Sequence, residues 1–387
     1  MHTSPLDAPG HGDAGGLNVF VAETAAALAR AGHEVDVFTR AVSTREVGSV
    51  EVAPGLRVHR IIAGPCRPLD KNQLVEVIDE FAMNLADFGP YDIVYSHYWI
   101  SGLAVLRSEW RIPWVHSFHT LARMKAETIA TPESDVRADT EQRICDTASA
   151  VCCVSEAEAH ALRTLYGVPA ARIRIIHPSV DASVFRRRGP KVKRRWRLWN
   201  RIPQDSVLVL SAGRLQPAKG QDIFAEAIAR TSTDSGIVGV VLGDPPPGDE
   251  EFAEALRRRA QEPDLAGRFA VRPAVSRHDF ALWLAIATVV AIPSRTESFG
   301  LVSLEAQAAG VPVVAHAVGG LPETLQDGVT GVLVDSVDPD AWARVLEDLA
   351  ENSVRRRQMG RAAHTFARES SWDDVAKDLA DFFSSLD

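Results

Sequence analysis

Short runs of apolar, mostly β-branched residues alternate with longer segments whose apolar positions recur at helical spacing, and this alternation fills most of the chain. The runs predict strands at 33–40, 57–63, 92–97, 114–119, 150–155 and 172–177, then at 207–213, 236–243, 268–273, 288–293, 311–317 and 331–335. Strand–helix alternation is the pattern of βαβ units and a parallel sheet, so the fold class is α/β with two such domains. Between the two sets, residues 186–201 interrupt the alternation with Arg186, Arg187, Arg188, Lys191, Lys193, Arg194, Arg195 and Arg197 around Gly189-Pro190. We read this run as a solvated linker or helix face at the junction rather than an RNA-binding arm, which sets domains at 1–185 and 202–370. Residues 371–387 end in a helical stripe of Trp372, Val375, Leu379 and Phe382, expected to pack across the junction. The first domain opens oddly. Residues 1–16 are all turn chemistry and the helix at 18–31 has no strand before it, so either this domain lacks its central strand or the true start lies upstream.

The length of 387 residues fits two domains, and 46% hydrophobic with 24% charged residues is a globular composition. Lys+Arg 42 against Asp+Glu 51 gives a net charge of −9, the wrong sign for a protein that neutralises nucleic-acid phosphates over a broad surface. Cys66, Cys145, Cys152 and Cys153 lack metal-ligand spacing and read as reduced thiols. With neither a spanning apolar stretch nor a signal-peptide pattern, the expected location is the cytoplasm, with no membrane partner.

Three glycine-bearing turns carry candidate chemistry. Gly10-x-Gly12-x-x-Gly15 matches the dinucleotide fingerprint by letter, with Glu34 and Asp36 near the ribose position, so a nicotinamide-dependent oxidoreductase enters as a rival. The fingerprint needs a strand feeding the turn, and residues 1–9 with Pro5 and Pro9 do not supply one. Gly15-Gly16 at a helix start still suits close approach by a polar or anionic ligand. In the second domain, Arg214 and Lys219 follow a strand in Gly213-Arg214-Leu215-Gln216-Pro217-Ala218-Lys219-Gly220. Further on, Glu297-Ser298-Phe299-Gly300-Leu301 leads into Val302-Ser303-Leu304-Glu305, placing two acids ~12 Å apart if helical throughout. That is about the span from ribose to hexose in a nucleotide sugar. A diphosphate would then lie on helix N-termini, Arg214 and Lys219, with Glu305 at the ribose and Glu297 at the hexose.

Glu297 to Glu305 resembles the E-x₇-E motif of the retaining glycosyltransferases of family four, and Arg214/Lys219 resembles their basic pair on the donor diphosphate. Gly12–Val19, Ser96–Gly102, His119–Ala122, Thr131–Ser134 and Val318–Pro322 extend the likeness over nearly the whole chain. The resemblance implies two Rossmann-like domains facing across a cleft (the GT-B architecture) with the terminal helix crossing back to the first. It implies a UDP-sugar co-substrate bound by Gly15, Gly16, Arg214, Lys219, Glu297, Ser298, Phe299, Gly300, Leu301 and Glu305. It also implies no metal: Asp338-Pro339-Asp340, the one Asp-x-Asp, reads as a helix cap. Catalysis would fall to Arg214, Lys219, His119 and Glu297 in a front-face transfer with retention. The acceptor, a cyclitol, would be held by Asn18, Lys71, Tyr98, Thr120 and Arg137. Two family branches compete: one moves amino-glucose onto an aminocyclitol pseudodisaccharide in kanamycin-type aminoglycoside pathways, the other moves N-acetylglucosamine from its UDP-sugar onto inositol phosphate in mycothiol synthesis. The shorter stretch between Thr120 and Thr131 favours the aminocyclitol expectation. Lys71 and Arg137 oppose it, since two cations repel a polyamine. A homodimer is the expected assembly, if any.

Overall fold

The structure is a computed structural model that describes residues 1, 3–7, 14–108, 110–128 and 135–386. The chain divides into two units, one of Met1–Asp7, Gly16–Pro178 and Trp372–Asp387, the other of Ala8–Gly15 and Ser179–Ser371.

The first unit holds β1 (Val35–Arg40), β2 (Gly48–Ala53), β3 (Leu56–Ile61), β4 (Val94–His97), β5 (Trp114–Ser117), β6 (Ala150–Cys153) and β7 (Ile173–Ile175). They form two sheets, β1-β3-β2 and a parallel β4-β5-β6-β7. The strands β5 and β6 are buried at every position, as strands covered on both faces must be, whereas β4 alternates buried and half-buried residues. The edge strand β2 went unread because its side chains are exposed and it pairs antiparallel with β3. The signal was the Pro54-Gly55 turn between them: Gly55 has φ +74, and a Cβ there would approach His33 O to 3.1 Å.

Met1 and Thr3 tie into this unit at two points. Thr39 on β1 donates to Thr3 O (3.2 Å), and the Met1 amine donates to Ser101 Oγ (3.1 Å) on the helix Trp99–Arg107 that follows β4. The terminal helix Trp372–Ser384 belongs to this unit, where it packs on the helix Gly16–Arg30. Trp372, Val375 and Leu379 are buried, whereas Phe382 is only half-buried. The Trp372 ring meets Phe20 edge-on at 5.9 Å and Asp373 pairs with Arg30 at 2.6 Å.

The second unit has one parallel sheet of β8 (Val207–Ala212), β9 (Ile237–Leu242), β10 (Phe269–Arg272), β11 (Val289–Ile292), β12 (Val313–His316) and β13 (Gly331–Val334). Its order is β10-β9-β8-β11-β12-β13, the doubly wound 3-2-1-4-5-6 arrangement. The junction expected at 186–201 moves to 178/179, and the basic run is a helix, Pro190–Trp199, inside this unit. Pro190 takes the first helical position, where its missing N–H is no loss. Arg197 is no linker residue. Its guanidinium donates to the carbonyls of Pro203, Gln204, Ser206 and Ile286, which fastens the helix to the segments that lead into β8 and β11. Asp338 caps the helix Pro339–Glu351, accepting from Asp340 N at 3.1 Å. Among the described residues no helix is long and apolar enough to cross a membrane.

Candidate functional site

In a doubly wound sheet, adjacent strands whose connections leave in opposite directions open a crevice at their carboxyl ends. In the second unit those strands are β8 and β11, and the loops that follow them carry Arg214/Lys219 and Glu297. The two loops touch. Lys219 Nζ donates to Glu297 Oε2 at 2.7 Å, with both side chains less than a quarter exposed, and Ser294 Oγ reaches the same oxygen at 3.3 Å. Arg214 is fixed through its carbonyl, which accepts from Gln221 Nε2 at 2.9 Å. Its positive charge is felt at Asp249, whose carboxyl is raised by burial and partly held down by Arg214.

The helices Gln221–Arg230 and Leu301–Ala308 begin at Gly220 and Gly300, and neither is capped by a side chain of that residue. Such starts present first-turn N–H groups to an anion. Gly300 must be glycine, since it has φ +106 and a Cβ would meet Leu321 at 2.5 Å. Gly319 is as tightly placed: a Cβ would stand 1.8 Å from Glu297 O, and Gly320 N donates to that carbonyl at 3.2 Å. The Val318–Pro322 turn therefore braces the Glu297 loop. Because the helix starts at Leu301, the ~12 Å helical ruler between Glu297 and Glu305 holds only over its last turn. Glu305 is buried on that helix, Phe299 is buried before it, and Ser298 and Leu301 are half-buried.

In the first unit, Tyr98, Thr120 and Arg137 converge. Arg137 Nη2 donates to Thr120 O (2.8 Å) and Oγ1 (3.0 Å), and its guanidinium carbon lies 5.3 Å from the centre of the Tyr98 ring. Tyr98 has φ +69 and His119 φ +61, uncommon backbone for bulky residues and of the kind that clusters at functional sites. Sequence reading missed the partner that organises this group, Glu141. It is fully buried, pairs with Arg137 Nε at 2.7 Å, and accepts from Ala122 N (2.9 Å) and from the Tyr166 hydroxyl. The Arg137 charge is thus compensated inside the unit.

His119 Nε2 lies 3.1 Å from His97 Nδ1, one ring donating and the other accepting, and Phe20 abuts both rings edge-on. Burial pushes the His119 pKa down to about 4, and His97 and His116 well below their ordinary value. Glu158, behind this group, is pushed up to about 7 by burial against the opposing backbone N–H groups of Val154 and His119.

Asn18 is buried and donates to Ser4 O at 2.7 Å. Gly16 opens its helix, and a Cβ on Gly15 would meet nothing within 4 Å. Lys71 begins the helix Lys71–Glu76, and its side chain lies outside what the structure describes. So do Gly10, Gly12 and the Thr131–Ser134 motif. Asp36, the candidate ribose acid of the oxidoreductase reading, is engaged by Arg57 (3.0 Å) and the Tyr91 hydroxyl (2.8 Å).

Residues 14–184 match the family model described as Glycosyltransferase Family 4, and residues 192–366 the model described as Glycosyl transferases group 1. The chain is 40% identical to a D-inositol 3-phosphate glycosyltransferase of Xylanimonas cellulosilytica over 99% of its length and 95% of the relative. It is 41% identical to one of Mycolicibacterium paratuberculosis, covering 98% and 87%. Among solved structures it is similar to a sucrose-phosphate synthase of Thermosynechococcus elongatus, with TM-score 0.89, 28% identity and coverage of 100% and 97%. The HepE protein of Anabaena shares the fold at TM-score 0.78 and 19% identity, covering 98% of each chain.

Proposed function

The chain belongs to the family-four glycosyltransferases, enzymes of GT-B fold, and from that premise we propose that it transfers a hexosyl group from a UDP-sugar to a hydroxyl of an inositol phosphate. The observation that carries the acceptor is the 40% identity, over 99% of the chain, to a D-inositol 3-phosphate glycosyltransferase. It moves the phosphorylated cyclitol ahead of the aminocyclitol pseudodisaccharide that the sequence expectation put first. UDP-N-acetylglucosamine is the first donor to try.

In this reading the donor diphosphate lies on the loops after β8 and β11. Arg214, Lys219 and the N–H groups of the helix Leu301–Ala308 meet the negative charge that grows on the leaving phosphate. The reaction then asks no metal of the protein. The leaving phosphate oxygen takes the proton from the attacking hydroxyl on the same face of the sugar, which retains the anomeric configuration. His119, neutral at physiological pH, orients the hexose by hydrogen bonding rather than by charge. Tyr98, Thr120, Arg137 and Lys71 hold the acceptor, with Asn18 near its ring.

One specific observation keeps the aminocyclitol as second reading: Glu141 neutralises Arg137, which weakens the repulsion expected for a polyamine. The test supplies the chain with UDP-sugars and either D-inositol 3-phosphate or an aminocyclitol pseudodisaccharide, and detects product by mass. Hexosyl-inositol phosphate is the expected product. Product from the aminocyclitol alone would overturn the acceptor and leave the transferase reading intact. UDP should raise the melting temperature and NAD should not.

A further inference from the structure

One side chain joins the two donor loops without belonging to the proposed diphosphate or hexose contacts. Arg295 stands in the loop after β11, two residues before Glu297. Its guanidinium forms a two-pronged pair with Asp222, 73 positions away, at 2.8 and 2.6 Å, and also donates to Pro217 O at 2.7 Å. Its backbone N–H donates to Ala218 O at 2.9 Å. Pro217 and Ala218 form the single turn that ends in Lys219, and Asp222 lies in the first turn of the helix that follows. The same loop is held from β12 by His316 Nδ1, which donates to Ser294 O at 2.7 Å.

The Lys219–Glu297 contact is therefore clamped on both sides by groups at fixed distances. We propose that Arg295, with Asp222 as its partner, is a positioning residue of the donor site, setting where Lys219 stands relative to Glu297 and to the leaving diphosphate. This rests on the reading of Lys219 as a diphosphate ligand. A planar guanidinium suits the task because its paired N–H groups fix both distance and direction, which a lysine ammonium does not. The Arg295–Asp222 pair is partly exposed, 34% and 44%, so its loss takes little from folding stability. Turnover is far more sensitive, since a misplacement of about 1 Å at a reacting centre costs roughly 10²-fold.

The experiment measures steady-state kinetics and melting temperature for Arg295→Ala, Arg295→Lys, Asp222→Asn and the double variant Arg295→Ala/Asp222→Asn in the full chain, with Lys219→Ala beside them. For Arg295→Ala and Asp222→Asn, kcat should fall roughly 10- to 100-fold while the melting temperature stays within a few degrees of the parent. Arg295→Lys should recover part of the loss, and the double variant should lose no more than the worse single, as expected for a pair acting as one unit. If Arg295→Ala does not fold, Asp222→Asn carries the test alone. Turnover within twofold of the parent in both Arg295→Ala and Asp222→Asn overturns the inference, as does a double variant whose loss is the product of the two single losses. Should Lys219→Ala collapse while those variants stay near the parent, the donor reading stands and the clamp falls. Full turnover in Lys219→Ala overturns both.

Discussion

Lys219 Nζ lies 2.7 Å from Glu297 Oε2, so the cation assigned to the donor diphosphate and the acid assigned to the hexose hold one another across neighbouring loops of the switch point. Partly exposed ion pairs contribute only ~0–1 kcal/mol to folding. The same ammonium, directed at charge that develops in the transition state, is worth far more to the reaction. Lys219→Ala and Arg214→Ala are each expected to lower kcat roughly 10²- to 10³-fold. Melting temperatures should move by only a few degrees. Near-parent turnover in both variants would remove the diphosphate assignment.

Arg137 and Glu141 form the opposite kind of pair, with side-chain exposures of 3% and 0%. Removing one partner of a buried pair leaves an uncompensated charge, at ~3–5 kcal/mol. Glu141→Ala should therefore lower the denaturant midpoint strongly, because Ala122 N and the Tyr166 hydroxyl lose their acceptor as well. Tyr166→Phe removes two hydrogen bonds, the donation to Glu141 and the acceptance from Arg123 N, and should cost ~1–3 kcal/mol. A Glu141→Ala midpoint close to that of the parent would mean that Arg137 finds another counter-charge.

These two pairs show what the chain revealed of itself and what it did not. The strands at 207–213 and 288–293 were legible as buried apolar runs, and the structure places them at Val207–Ala212 and Val289–Ile292. Arg214, Lys219 and Glu297 stood out because turn glycines flank them. That β8 and β11 are neighbours was not legible, since strand order is decided by pairing between segments about 80 residues apart. Glu141 left no signal either: a buried polar group is recognisable by its partner, and Glu141 takes its partners from Arg137, Ala122 and Tyr166. Exposed Val50 and Val52 hid β2 for the converse reason, an apolar alternation facing solvent at an edge.

The buried histidines give stability a definite pH dependence. His97, His116 and His119 stay neutral in the folded chain, their pKa values lying below the ordinary 6.5 and that of His119 at about 4. On acidification the unfolded chain takes up protons that the folded chain refuses, so stability falls from about pH 6.5 toward pH 4, by up to ~1.4 kcal/mol per pH unit for each histidine. Glu158 works the other way. Raised from 4.5 to about 7, it holds an extra proton in the folded state between those values and adds stability as the pH falls through them. Three groups oppose one, so the parent should weaken on acidification and Glu158→Gln should weaken more steeply. Denaturant midpoints at pH 7.5, 6 and 5 check both statements, and a parent midpoint that rises toward pH 5 would contradict them.

The acceptor is decided by counting charges. Arg137 comes with Glu141 as its counter-ion, so its loss would strip a proposed donor from the acceptor set and at the same time leave Glu141 as an uncompensated buried charge, mixing folding with binding. Lys71→Ala removes a whole positive charge from the proposed acceptor set. With a dianionic inositol phosphate, loss of a charge-assisted partner costs ~1.5–3 kcal/mol, which is roughly a ten- to hundredfold rise in acceptor KM. The value of kcat should change less, because the contact is with a phosphate remote from the reacting hydroxyl and holds in ground and transition states alike. With a polyamine acceptor the sign reverses: deleting Lys71 removes a repulsion and KM stays level or falls. We expect the rise, measured with D-inositol 3-phosphate at saturating UDP-sugar. An unchanged KM for inositol phosphate, together with efficient transfer to the aminocyclitol, would return the aminocyclitol to first place.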